Sequence, residues 1–102
     1  MKDVTQTTIP RTAEHRLKTL PQFWDAISRT DKNFEVRRDD RGFQKGDILI
    51  LQKHDGNDYI MDYSKKPKEP YSLRKRITYI LTGAQFGIEA GYVVMGLEDD
   101  NR

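Results

Sequence analysis

Apolar residues in this chain fall in short blocks, and the spacing within them changes along the sequence. Leu20, Phe23, Trp24 and Ile27 lie at i, i+3, i+4 and i+7, the spacing of one helical stripe. Thr19, Pro21 and Gln22 form a helix-start signal with Thr19 as N-cap, so a short amphipathic helix is predicted over 20–29, its aromatic face on the core. Ahead of it, "HRLK" (15–18) reads as a short strand. After "SRTD" the period becomes two: Phe34 and Val36 alternate with Asn33, Glu35 and Arg37. That is a half-buried strand with Phe34 and Val36 on the core and Glu35 and Arg37 on the polar face. "RDDRGFQKGD" is a turn, and "ILILQK" a strand apolar on both faces, as at the centre of a closed sheet. "DYIMDY" (58–63) is a third strand, reached through the turn "HDGN". "SKKPKEPYS" is a surface loop, since its prolines cannot sit inside a sheet. "RKRITYILTG" and "GYVVMGLE" are two more strands, separated by "GAQFGIEAG", a glycine-punctuated loop with Phe86 as its anchor.

This order predicts a mostly β, α+β fold with one or two short helices. A small barrel capped by the N-terminal helix fits best, because closure removes sheet edges; an open α+β sandwich is the alternative. Residues 1–13 have no sustained periodicity and read as a flexible arm, 14–98 as the domain, and 99–102 as a flexible tail.

With 102 residues, the chain is sized for one domain. It has no cysteine, which excludes disulfide and thiolate chemistry, and its two histidines lack any zinc-ligand spacing. No metal and no cofactor are expected. The longest apolar run, Ile48 to Leu51, is far short of a membrane span, and no apolar signal segment is visible, so a cytoplasmic protein with no membrane contact is expected; the sequence leaves the oligomeric state open, with a monomer favoured. Net charge is only +2, but it is unevenly spread. Lys65, Lys66, Lys68, Arg74, Lys75 and Arg76 face Glu69 alone within 64–78, which makes this segment a candidate for phosphate contact.

Three stretches together resemble the ASCH domain of the PUA-like superfamily, in particular its small branch of unknown function in phages and bacteria. They are "HRLKTLPQFWDAI", "KNFEVRRDDRGFQKGDILIL" and "ITYILTGAQFGIEAGYVVMGLE", and they span roughly residues 15–98. The resemblance implies a PUA-like β-barrel. The sequence departs from the family pattern at Arg29–Thr30–Asp31, where no glycine ends the helix, and in the loop 64–73.

The resemblance also implies a cleft between helix and barrel that binds RNA or a modified nucleotide. Its edges would be His15 and Lys18, then Lys32, Glu35 and Arg37, then Asp40, Arg41 and Asp47. Cations there would serve phosphates and base edges, a carboxylate would accept from an exocyclic amine, and Phe23, Trp24 or Phe43 could stack on a ring. Lys65, Lys66, Arg74 and Arg76 would extend the surface if they share its side. The structural alternative is an ion-pair network of Glu35, Arg37, Asp40 and Arg41 pinning the turn, with Asp47 as a turn former and His15 as a hydrogen-bonded strand-end residue.

Some bacterial ASCH proteins hydrolyse the amide of acetylcytidine nucleosides, and Lys32 occupies the matching lysine position. The threonine three residues later is Glu35 here, so an amidohydrolase centred on Lys32, with Glu35 and His15, is a second expectation. A phage accessory protein that binds a host protein is a third.

Overall fold

A computed structural model describes residues 12–100. Five strands form one curled sheet: β1 (Glu14–Thr19), β2 (Phe34–Arg38), β3 (Ile48–Lys53), β6 (Ser72–Thr82) and β7 (Tyr92–Asp99), in the order β1-β3-β6-β7-β2. β1 lies parallel to β3, and every other pairing is antiparallel. Helix α1 (Pro21–Ser28) joins β1 to the far edge strand β2. Among the described residues no helix is long and apolar enough to cross a membrane.

β3 is flanked on both sides, and its first four residues, Ile48 to Leu51, are all buried. Leu49 and Leu51 pack in one core cluster with Leu17, Ile27, Phe43, Ile77, Val93, Met95 and Leu97, and Ile48 and Ile50 are buried on the other face of the strand. Burying such side chains contributes roughly 1.5–3 kcal/mol each.

The sheet curls, but it does not close. β1 and β2 are both edges, and no backbone ladder joins them; the predicted closed barrel is corrected to a half-barrel, and α1 spans its edges instead of capping it. The stretch 58–63 also differs from expectation. Only Met61–Asp62 (β4) is strand, paired with Glu69–Pro70 (β5) in a separate two-stranded ladder, because the prolines and charges of 64–70 supply too little apolar surface to join the main sheet. Phe86 is no anchor: it is 86% exposed.

Sequence spacing misjudged α1 as well. The N-cap is Leu20, with no side-chain cap; the Thr19 hydroxyl donates instead to Leu17 O. Of the predicted stripe, Ile27 is 1% exposed and Trp24 partly buried, whereas Leu20 and Phe23 stand in the open. The helix ends as a glycine-terminated one would. Thr30 takes φ 65°, Thr30 N–H donates to Ile27 O and Asp31 N–H to Ala26 O, which is a Schellman closure with a threonine at the left-handed position.

Ordered chain reaches past both expected boundaries. Ala13 N–H donates to Asp47, Ile48 N–H donates to Ala13 O, Asp99 ends β7, and Asp100 is buried. Most of the expected arm, residues 1–11, lies outside the described residues.

Candidate nucleotide cleft at the open seam

The edge strands β1 and β2 face one another across a cleft of about 630 Å³. In a parallel pair, alternate residues turn their backbone groups toward the neighbour. Ala13 O and Thr19 O accept from Ile48 and His54 on the β3 side, so the carbonyls of Arg16 and Lys18 project from the free edge. Two guanidinium groups take them: Arg41 Nη1 donates to Arg16 O at 3.2 Å and Arg37 Nη2 to Lys18 O at 2.8 Å. On β2 the same parity turns Phe34 O to the free edge, where Lys32 Nζ donates to it at 2.7 Å. Side chains thus bridge the seam that main chain would close in a barrel, and they cover edges that would otherwise pair with another chain.

Behind the seam, the alternation of β2 is the reverse of the expected one. Glu35 is 4% exposed, whereas Phe34 and Val36 are 41% and 52% exposed. An isolated buried carboxylate costs several kcal/mol, and two cations offset that cost: Lys32 Nζ lies 2.8 Å from Oε1, and Arg37 Nε lies 2.8 Å from Oε2. Arg37 also donates to Thr19 Oγ1 at 3.1 Å. Periodicity alone could not find this, because an ion-paired triad can occupy an inward face that spacing assigns to apolar residues. The Schellman exit of α1 delivers Lys32 to its place, with Lys32 N–H donating to Ala26 O. Its ammonium lies 5.3 Å from the Phe23 ring centroid and 4.8 Å from that of Phe34.

Of the residues expected at the cleft, Lys18, Lys32, Glu35, Arg37, Asp40 and Arg41 line it, as does Phe23. Lys18 contributes mainly its carbonyl, since its ammonium sits over the Tyr59 ring at 5.9 Å. Two lining residues that the sequence reading missed are Arg38 and Tyr92, whose guanidinium and ring stack at 5.0 Å. Arg38 is in a run of charge and nothing in its spacing sets it apart, while Tyr92 comes from a strand distant in sequence.

The other candidates lie elsewhere. His15 Nε2 donates to Asp47 Oδ2, 2.9 Å away, and the ring abuts the buried Phe43 edge-on. Asp47 also accepts from Ala13 N–H and Gln44 N–H, so it organises the turn before β3, and Phe43 is core. Trp24 is no stacking platform for a base: its indole N–H donates to Leu51 O at 2.9 Å, and Lys53 and Tyr71 cover its ring. Arg74 pairs with Glu14 and Asp100, and Arg76 with Glu98 and Asp100. Glu14 and then Asp100 hold the Arg74 guanidinium above its already high ordinary pKa. Lys65 and Lys66 are exposed on the 63–68 loop and do not line the cleft.

With the Lys18 ammonium turned to Tyr59, the cleft presents four cations, Lys32, Arg37, Arg38 and Arg41, against two carboxylates. Both Glu35 oxygens are ion-paired, and Asp40 stands at the rim with its side chain 3.8 Å from Arg41 Nε. Arg38 has no carboxylate partner among the described residues, and there its guanidinium makes one hydrogen bond, a 3.4 Å contact to Tyr92 Oη. A net positive hollow edged by exposed phenyl rings is suited to an anion that carries a flat ring.

A search of curated proteins finds no match to the chain. A family model does match, over residues 14–97, which include all of β1 and α1 and both walls of the cleft. By that match the chain belongs to the DUF3850 family, a domain of unknown function.

Proposed function

We propose that the seam cleft binds a nucleotide unit, free or within an unpaired RNA strand. The observation that carries this reading is the pairing of exposed Phe23 and Phe34 with cations that have donors to spare, in a hollow of nucleotide size. Guanidinium groups such as those of Arg38 and Arg41 suit phosphate, and a phenyl ring gives a base its stacking face. Stability alone does not account for the Lys32–Glu35–Arg37 triad, because well-packed apolar residues in place of a buried ion-pair triad are often neutral or stabilising by about 1–4 kcal/mol. The resemblance to ASCH and PUA-like domains implies a cleft between helix and barrel, and a cleft that Leu20 and Phe23 of the helix region help to line supports that part of it, although the sheet here is open.

Hydrolysis at Lys32 is the weaker reading. Two of the three Lys32 N–H groups are directed at Glu35 and Phe34 O, whereas a nucleophilic amine needs a free lone pair.

Fluorescence anisotropy with a labelled uridine hexanucleotide tests the binding reading. The unsubstituted protein should bind with a log–log salt slope near −1.4 to −2.1 for two or three phosphate contacts, and joint Arg38→Ala and Arg41→Ala substitution should weaken binding by about tenfold or more and flatten that slope. Lys65→Ala, Lys66→Ala and Lys68→Ala together should leave it unchanged. The opposite pattern would move the site to the basic loop, and acetate released from acetylcytidine would favour the hydrolase.

A further inference from the structure

We infer that the cleft selects the base as well as the phosphate, and that it prefers a keto ring, uracil or guanine, over adenine. This rests on the nucleotide reading of the same cleft and adds the identity of the ring. At the floor of the cleft each side-chain acceptor oxygen already takes a hydrogen bond from a cation. Glu35 Oε1 accepts from Lys32 and Oε2 from Arg37. Thr19 Oγ1 accepts from Arg37 and spends its own proton on Leu17 O. Asp40 is the remaining carboxylate, and it lies at the solvent-exposed rim.

The donors are in surplus. An ammonium has three N–H groups and a guanidinium five. Lys32 commits two, to Glu35 and Phe34 O. Arg37 commits Nε and Nη2, and its Nη1 has no hydrogen-bond partner among the described residues. Tyr92 Oη accepts from Arg38, which leaves its proton to donate. A ring entering the cleft beside Phe23 or Phe34 therefore meets side chains that mostly donate. Uracil offers O2 and O4, on either side of its N3–H, and guanine turns two acceptors, O6 and N7, toward such a surface along its N7 edge, where adenine has N7 alone. Adenine would set its N6 amino group against N–H donors, and a buried donor facing a donor is left unpaired. Cytosine, with acceptors at O2 and N3 and a donor at N4, falls between.

Calorimetric titration of the intact chain with UMP, GMP, CMP and AMP, and with ribose 5-phosphate as the probe without a base, tests this. UMP and GMP are expected to bind at least about tenfold more tightly than AMP, and ribose 5-phosphate more weakly than UMP. AMP binding as tightly as UMP would overturn the keto preference while leaving the nucleotide cleft in place. Ribose 5-phosphate matching UMP would overturn base recognition altogether and leave an anion site. If none of the five binds at millimolar concentration, the nucleotide reading falls and the preference with it. A Lys32→Arg variant keeps the charge beside Glu35 but moves the donors, and should narrow the ratio of UMP to AMP affinity; an unchanged ratio contradicts the role given to Lys32.

Discussion

Arg37 Nη2 donates to the backbone carbonyl of Lys18 at 2.8 Å, from one edge of the curled sheet to the other. The same side chain neutralises Glu35 through Nε, so one residue both bridges the seam and supports the buried carboxylate behind it. Arg37→Met should therefore destabilise the fold by about 2–3 kcal/mol, less than a fully orphaned charge would cost because Lys32 remains. Urea denaturation measures this, and a change below about 0.5 kcal/mol would show that the bridge is a surface decoration.

Thr30 at φ 65° ends α1 where a glycine is usual. A left-handed L-residue costs about 1–2 kcal/mol, and glycine returns about 0.5–1 kcal/mol of that through its looser unfolded chain. Thr30→Gly is expected to stabilise the protein by roughly 0.5–1 kcal/mol on balance. Thermal unfolding checks it; a lower midpoint would mean that the Thr30 side chain makes a contribution which offsets its backbone strain.

In the turn after β3, the Asp55 carboxylate accepts from the backbone N–H groups of Asp58 and Asn57, which hold its pKa below the ordinary 3.8. A depressed folded pKa contributes stability that is present above the unfolded value and lost as pH falls through the folded one. The turn should thus loosen only below pH 3.8. An NMR titration of the Asp55 carboxyl should give a midpoint under that of the same aspartate in a short peptide, with the Asn57 and Asp58 amides shifting in step. Equal midpoints would contradict the hydrogen-bonded turn.

Asp100 is buried beneath Arg74 and Arg76. Asp100→Ala should cost about 2–3 kcal/mol by leaving two guanidinium groups short of a partner, and UMP affinity should not change. A loss of affinity at equal folded fraction would return these arginines to the ligand surface.

Much of the architecture was legible in the sequence. The run Ile48–Leu51 announces a strand covered on both faces, and β6 and β7 fall within two residues of their predicted bounds. The site was legible only in part. The run from Lys32 to Arg41 does reach a common hollow, but spacing put the wrong face of β2 on the core, because a period of two cannot tell an apolar pair from an ion-paired one. Whether the sheet closes depends on the pairing of β1 with β2, residues far apart in sequence, and no local pattern encodes that. Trp24, His15 and Asp47 were attractive as site residues for their chemistry. Each is instead engaged by a backbone group or a neighbour that only the fold supplies.

The most direct test of the account is an amide chemical-shift titration of the full chain with UMP. The account predicts saturable shifts at Lys18, Thr19, residues 32–38, Arg41 and Tyr92, on both walls of the seam, with the 63–68 loop unmoved. Shifts confined to that loop, or none at millimolar UMP, would contradict it.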